Sequence, residues 1–311
     1  MALFDAYLFV DWSAANGARP QQPARDAVWV GELVPALRSQ QETYHRTREA
    51  GVRHVAGLLH GHVREGRRVL VGFDFPYGYP AGLAAGLALP AGPLAWWTVW
   101  AELAARVQDA ADNRNNRFAA AGALNTILRR GQPGPFWGCP VGTSVPNLEA
   151  RSPGFPSRCA SGVELPRLRL VEARLPGTQE AWKLFGAGSV GSQALVGIHH
   201  LYRLRRNPDL APVSRVWPFE TGFSPTPSPS QGPSILHAEI WPGVVKEQTQ
   251  GLMRANPALI RDRAQVRALC AWAAACDGTG TLGQYFVWPA GLDQSQARVC
   301  VEQEGWILGA V

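Results

Sequence analysis

"VLVGFDFPYGYP" (residues 69–80) opens as a buried strand and then breaks its own rule. Val69–Phe73 is an unbroken apolar run, the signature of a strand covered on both faces. Asp74 ends that run between two phenylalanines, just before Pro76. A carboxylate at the end of a core strand needs either a capping duty or a ligand. The same punctuation occurs in "DAYLFVDWSA" (5–14), where the run Ala6–Val10 stops at Asp11. It occurs again in "ILHAEIWPG" (235–243), where Glu239 sits near the end of a strand before a Pro-Gly turn.

Around these strands the chain reads as a mixed α/β protein. "DAVWVGELV" (26–34) is a second strand, and "VPALRS" is a candidate third. Residues 41–66 read as one amphipathic helix, because Val52, Val55, Leu58, Leu59 and Val63 recur at helical spacing and Gly66 supplies a stop. Ala-rich helical stretches fill about 81–130, followed by a loop-rich zone around "GPFWGCP" (134–140). "GAGSVGSQALVGIHHLYRLRR" (186–206) is a Gly-rich turn entering a helix. "SRVWPFET" (214–221) is a candidate strand, and "FSPTPSPSQGPS" (223–234) is low-complexity and reads as a mobile loop. Residues 256–278 form a strong helix pattern, with Asp262 in its first turns, and "EGWILGAV" reads as a last short strand. The expected architecture is one domain, a mixed sheet with helices on its faces and a mainly helical insertion at about 81–210.

Several totals bound the function. The chain has 311 residues and a net charge of +6, and all but Lys183 and Lys246 of its 30 basic residues are Arg. Guanidinium forks suit phosphates, but a GC-rich genome would also raise Arg, and these are scattered along the chain. The five cysteines contain no CxxC pair, which argues against a zinc site or a disulfide framework. No apolar run reaches the roughly 20 residues of a bilayer span. "MALFDAYLFVDWSA" carries acids where a signal peptide carries bases, so a soluble cytoplasmic protein without a membrane partner is expected. Neither GxSxG nor HExxH occurs, and His60, His62, His199 and His200 are spaced for surface positions and not for one metal face.

The strand-end acids carry the functional reading. In sheets with parallel strands, ligands gather beyond the carboxyl ends. Asp11, Asp74 and Asp262 meeting there would repel one another unless a cation lay between them, and Mg²⁺ or Mn²⁺ takes hard oxygen ligands and keeps waters. Glu239 would assist. For phosphate contacts, "DNRNNRF" (112–118) puts Asn113, Asn116 and Arg117 on one face if it is helical. "GAGSVGSQ" offers backbone amides with Ser189 and Ser192, and Lys183 lies just upstream. Trp137 reads first as a wall residue.

The blocks "FVDWSA", "VGFDFPYGYP", "AEIWP" and "EGWILG", with "DNRNNRF…GPFWG…GSVGSQ" between them, resemble those of the domain of unknown function 429 family and its bacterial relatives. The likeness runs over roughly residues 5–309. It implies a ribonuclease-H-like fold and a nuclease-type hydrolase, with Asp11 as the first-strand acid, Asp74 as the fourth-strand acid, Asp262 in the last helix and Glu239 in a Glu-x-x-Pro block. Many members carry Asp-Ala-Leu in the last helix, where this chain has Arg267-Ala268-Leu269, one acid fewer. Some relatives are labelled as acting in molybdopterin guanine dinucleotide biosynthesis. The expectation is therefore metal-dependent phosphodiester hydrolysis on nucleic acid. The alternatives are an enzyme for a nucleotide or other phosphorylated small molecule, or a non-catalytic binding protein.

Overall fold

The computed structural model describes residues 2–310. In chain order the strands are β1 (Ala6–Asp11), β2 (Val28–Val34), β3 (Ser39–His45), β4 (Arg68–Phe73), β5 (Ser157–Arg158), β6 (Glu164–Leu165), β7 (Ser214–Val216) and β8 (Ser234–Glu239). The α-helices are α1 (Arg48–Arg64), α2 (Leu83–Gly86), α3 (Ala95–Arg106), α4 (Arg117–Arg129), α5 (Leu170–Arg174), α6 (Gly191–Arg205), α7 (Lys246–Ala255), α8 (Arg261–Gly278) and α9 (Gln294–Val299). Six strands form one mixed sheet in the order β3-β2-β1-β4-β8-β7, and β5 and β6 pair separately. β1, β4, β8 and β7 are parallel neighbours, whereas β2 and β3 run antiparallel on the β1 side. The central strands are apolar throughout because helices cover both faces.

Alternation along the strands decides what each face receives. Leu8, Val10, Trp12, Val71 and Phe73 lie in the larger core, with Val55 and Leu59 of α1 and Ala194 and Ile198 of α6. Tyr7, Phe9, Leu70 and Ala238 lie in the second core, with Leu269, Cys270 and Ala273 of α8. Helix α8 lies so close to β2 that a Cβ on Gly31 would sit 3.0 Å from the Val266 Cβ and backbone oxygen. Most of the chain between β4 and β7 packs into the larger core, so the insertion shares its interior with the sheet.

Four elements differ from the sequence expectations. Residues 39–45 form β3, an edge strand, and the helix starts only at Arg48, where the Thr47 side chain accepts a hydrogen bond from the Ala50 amide. The polar alternation of an edge strand resembles a helix surface, which hid the boundary. "VPALRS" is mainly a 3₁₀ turn between β2 and β3. Helix α8 starts at Arg261, after a turn around Pro257. The closing segment makes a single bridge, Ile307 to Glu239, and no strand, because Gly305 and Gly309 take positive φ on either side of it. No helix among the described residues is long and apolar enough to cross a membrane.

Candidate active site at the carboxyl rim of the sheet

Parity places Asp11 and Asp74 together. Asp11 follows Tyr7 and Phe9 on the α8 face of β1, and Asp74 follows Leu70 and Gly72 on the same face of β4. The two strands are parallel neighbours with Val10 opposite Phe73, so the next residues, the two acids, end side by side. The Asp74 amide donates to the Val10 carbonyl at 3.2 Å, and its carboxylate Oδ1 accepts from the Trp12 amide at 2.6 Å. The Asp11 carboxylate accepts no hydrogen bond from the described residues. Asp262, in the first turn of α8, approaches the same rim, with its Oδ2 accepting from the Asp26 amide at 2.8 Å.

The electrostatics follow from this crowding. Burial pushes the Asp11 carboxyl well above its ordinary range, and the charges of Asp74, Asp262 and Asp26 add to the effect. Burial likewise lifts Asp74 to about 7, with Asp262 adding to it and the Trp12 amide opposing it. Asp262 is also raised, first by burial. Each carboxylate keeps an opening to solvent, yet protein surrounds it closely enough for desolvation to dominate. No arginine, lysine or histidine pairs with Asp11, Asp74 or Asp262 among the described residues.

Two adjacent hard oxygen donors, each partly open to solvent, meet the ordinary requirement of Mg²⁺ or Mn²⁺. The three-acid ligand set expected from the sequence is not closed, since no three His, Cys, Asp or Glu side chains among the described residues stand in ligating proximity. The fit is therefore to the Asp11–Asp74 pair, with Asp262 at the margin, held toward Asp26.

Glu239 does not join this group. It lies opposite Phe73, not Asp74, and so points to the other face of the sheet. There it forms a buried bidentate pair with Arg169 at 2.6 and 2.8 Å and accepts from the Tyr77 amide. Arg169 also holds Glu172, and Glu304 takes the amides of Ala81 and Leu170. Glu239 is thus a lock between β8, the loop after β4 and the segment before α5.

The expected phosphate contacts divide in the same way. Asn113 sits in a loop with φ 73°, and its side chain holds the Arg48 amide and the carbonyls of Gly17 and Arg46. Asn116 bonds the Gln108 amide and the Arg106 carbonyl. Both are spent on backbone, because 112–116 is a loop and not the helical face expected. Lys183 donates to the Ala187 carbonyl and lies over the Trp137 ring. Ser189 stands in the turn before α6, its amide bonded to Gly186. Arg117 and Ser192 do come together, with Arg117 Nε donating to Ser192 Oγ at 2.8 Å. One residue on, Gln193 donates to the Trp12 carbonyl at 2.6 Å. The first turn of α6 therefore bridges Arg117 to the segment that holds Asp74. Gln193 closes the "GAGSVGSQ" block, where its spacing alone gives it no role.

Two histidines expected at the surface are buried. His200 bonds Asp109, which is gripped bidentately by Arg48, and His62 bonds Glu32. Their carboxylate partners lie far off in sequence, so spacing could not reveal them. No family model matches the chain, and no curated protein or solved structure does.

Proposed function

We propose that this protein hydrolyses phosphate esters at the carboxyl rim, with Asp11 and Asp74 as the residues that hold a divalent cation. One observation carries the reading: two carboxylates from adjacent parallel strands converge with no salt-bridge partner among the described residues, Arg261 acting on Asp11 only at a distance. Such a pair is costly to bury unless something positive occupies the gap during function. The placement also supports the ribonuclease-H-like reading and kinship with the domain of unknown function 429 family. The first and fourth strands are parallel neighbours, and the helix carrying the third acid packs on the same face as both acids.

In this reading Asp74 is oriented by the Trp12 amide, and Asp11, free of hydrogen bonds, turns to the ligand. When bound, Mg²⁺ or Mn²⁺ would neutralise the pair and polarise a phosphoryl oxygen. Asp262, held by the Asp26 amide, is a nearby group whose affinity for a proton burial raises, so it is placed to take one up in this reading. The test is metal-dependent cleavage of a panel of DNA, RNA and nucleotides. Asp11→Asn and Asp74→Asn should each lower turnover by roughly a hundredfold or more, the scale of losing a principal electrostatic stabiliser. Equal turnover by either variant, or none by the wild type with either metal, sinks the reading.

A further inference from the structure

Arg117 is 9 % exposed, yet it has no carboxylate partner among the described residues. Its Nε donates to Ser192 Oγ and its Nη1 to Asn115 Oδ1 at 2.8 Å, both neutral acceptors. Nη2 finds no acceptor among the described residues. It is also absent from the polar atoms that are both unbonded and sealed from solvent, so this one edge of the guanidinium remains reachable. Burial, with Arg48 adding to it, pulls the Arg117 guanidinium down to about 10, and Asp109 opposes this only from within its own pair with Arg48. A buried charge left this way is costly unless an anion completes it.

The surroundings are those of an anion receptor. Arg117 is the first residue of the 13-residue α4, and Ser192 lies in the first turn of the 15-residue α6, so two helix N-termini converge on the guanidinium. Ser192 is fixed in turn by donating to the Leu184 carbonyl at 2.6 Å. Gly191 sets that turn: a Cβ there would meet the Ala181 and Lys183 carbonyl oxygens at 2.4 and 2.6 Å.

We propose that the open edge of Arg117, with the first turn of α6, binds the terminal phosphate of a compact phosphomonoester, of which a mononucleotide is the natural size. This deepens the hydrolase reading by naming its substrate class. One unbonded guanidinium edge suits a terminal phosphate, whereas the internal phosphates of a duplex would have to follow a surface. Gln193 ties the same turn to the carbonyl of Trp12, whose amide holds Asp74, so the receptor and the acid rim share one backbone segment.

The experiment is calorimetry and thermal shift on the full chain in EDTA, with inorganic phosphate, adenosine 5′-monophosphate and adenosine as probes. Phosphate and the nucleotide should bind and raise the melting temperature. Adenosine should bind at least roughly tenfold more weakly, the factor carried by a charge-assisted pair. Arg117→Met should lose at least that factor while its ligand-free melting temperature is unchanged or higher, because an uncompensated buried charge has been removed. Adenosine binding as well as its phosphate, no binding of phosphate or nucleotide at millimolar concentration, or undiminished binding by Arg117→Met would each overturn the proposal. If Arg117→Met fails to fold, the comparison of nucleotide with nucleoside on the wild type decides. Binding through Arg117 without turnover of any ester would leave this receptor standing and remove the hydrolase. Turnover of esters lacking a terminal phosphate, unaffected by Arg117→Met, would do the reverse.

Discussion

At the scale of the residue, Asp74 holds its place through one backbone amide while its protonation is set by its neighbours. Its carboxyl is raised to about 7 in the fold, from an ordinary value near 4 in the unfolded chain. Between those values the folded protein keeps a proton that the unfolded chain has released. Without a cation, stability therefore falls as pH rises through this window, and the penalty is complete above pH 7. Asp74→Asn keeps an oxygen for the Trp12 amide and removes the charge. Its melting temperature should exceed that of the metal-free wild type at pH 8 by at least roughly 2 °C, a shift expected from about 1 kcal/mol in a chain of this size. The difference should vanish near pH 4 and shrink when Mg²⁺ is added. A variant less stable than the wild type at pH 8 would show that the charge is compensated by contacts within the fold.

At the scale of the element, the register of β8 against β4 separates two roles that look alike along the chain. Asp74 and Glu239 both end apolar strands, yet Glu239 stands opposite Phe73 and takes the other face. There Arg169 is the sole cation among the described residues bonded to the buried Glu172 and Glu239, and it also caps the Glu304 carbonyl. Arg169→Met should cost about 3–5 kcal/mol in urea unfolding, the usual price of stranding a buried charge. Glu239→Gln should destabilise in the same direction while retaining turnover per folded molecule within a few-fold of the wild type. Loss of turnover in a stably folded Glu239→Gln would return this residue to the catalytic group.

At the scale of the whole molecule, acid acts on two opposed sets of buried groups. His237 is fully buried in β8 with neither ring nitrogen bonded, and burial lowers it to about 3. His45 and His199 are lowered to about 4, also chiefly by burial. As pH falls below about 6.5 the unfolded chain takes up these protons and the fold does not, so stability is lost. The raised acids at the rim and around Arg169 act the other way above their ordinary carboxyl values, because there the fold holds protons that the unfolded chain has released. His237→Phe should remove on the order of a few kcal/mol of the destabilisation between about pH 6.5 and 3. Urea midpoints measured across that range would check it, and parallel curves for variant and wild type would refute it.

Much of the architecture was legible because burial on both faces writes itself as unbroken apolar runs. β1, β4 and β8 stand where "DAYLFVDWSA", "VLVGF" and "ILHAEIWPG" predict strands, and Asp11 and Asp74 mark strand ends by interrupting the first two runs. β3 was not legible, since a half-exposed edge strand has no apolar stripe. Nor was the division of labour among the acids and the Asn/Arg block. Asp11 and Asp74 share a face with each other and not with Glu239 because of strand register, and Asn113 turned inward while Arg117 stayed open because of packing. The amino-acid order alone determined which residues end the core strands. Only the tertiary structure decided which of them meet, because register and facing are fixed by pairing between segments some 60 to 170 residues apart.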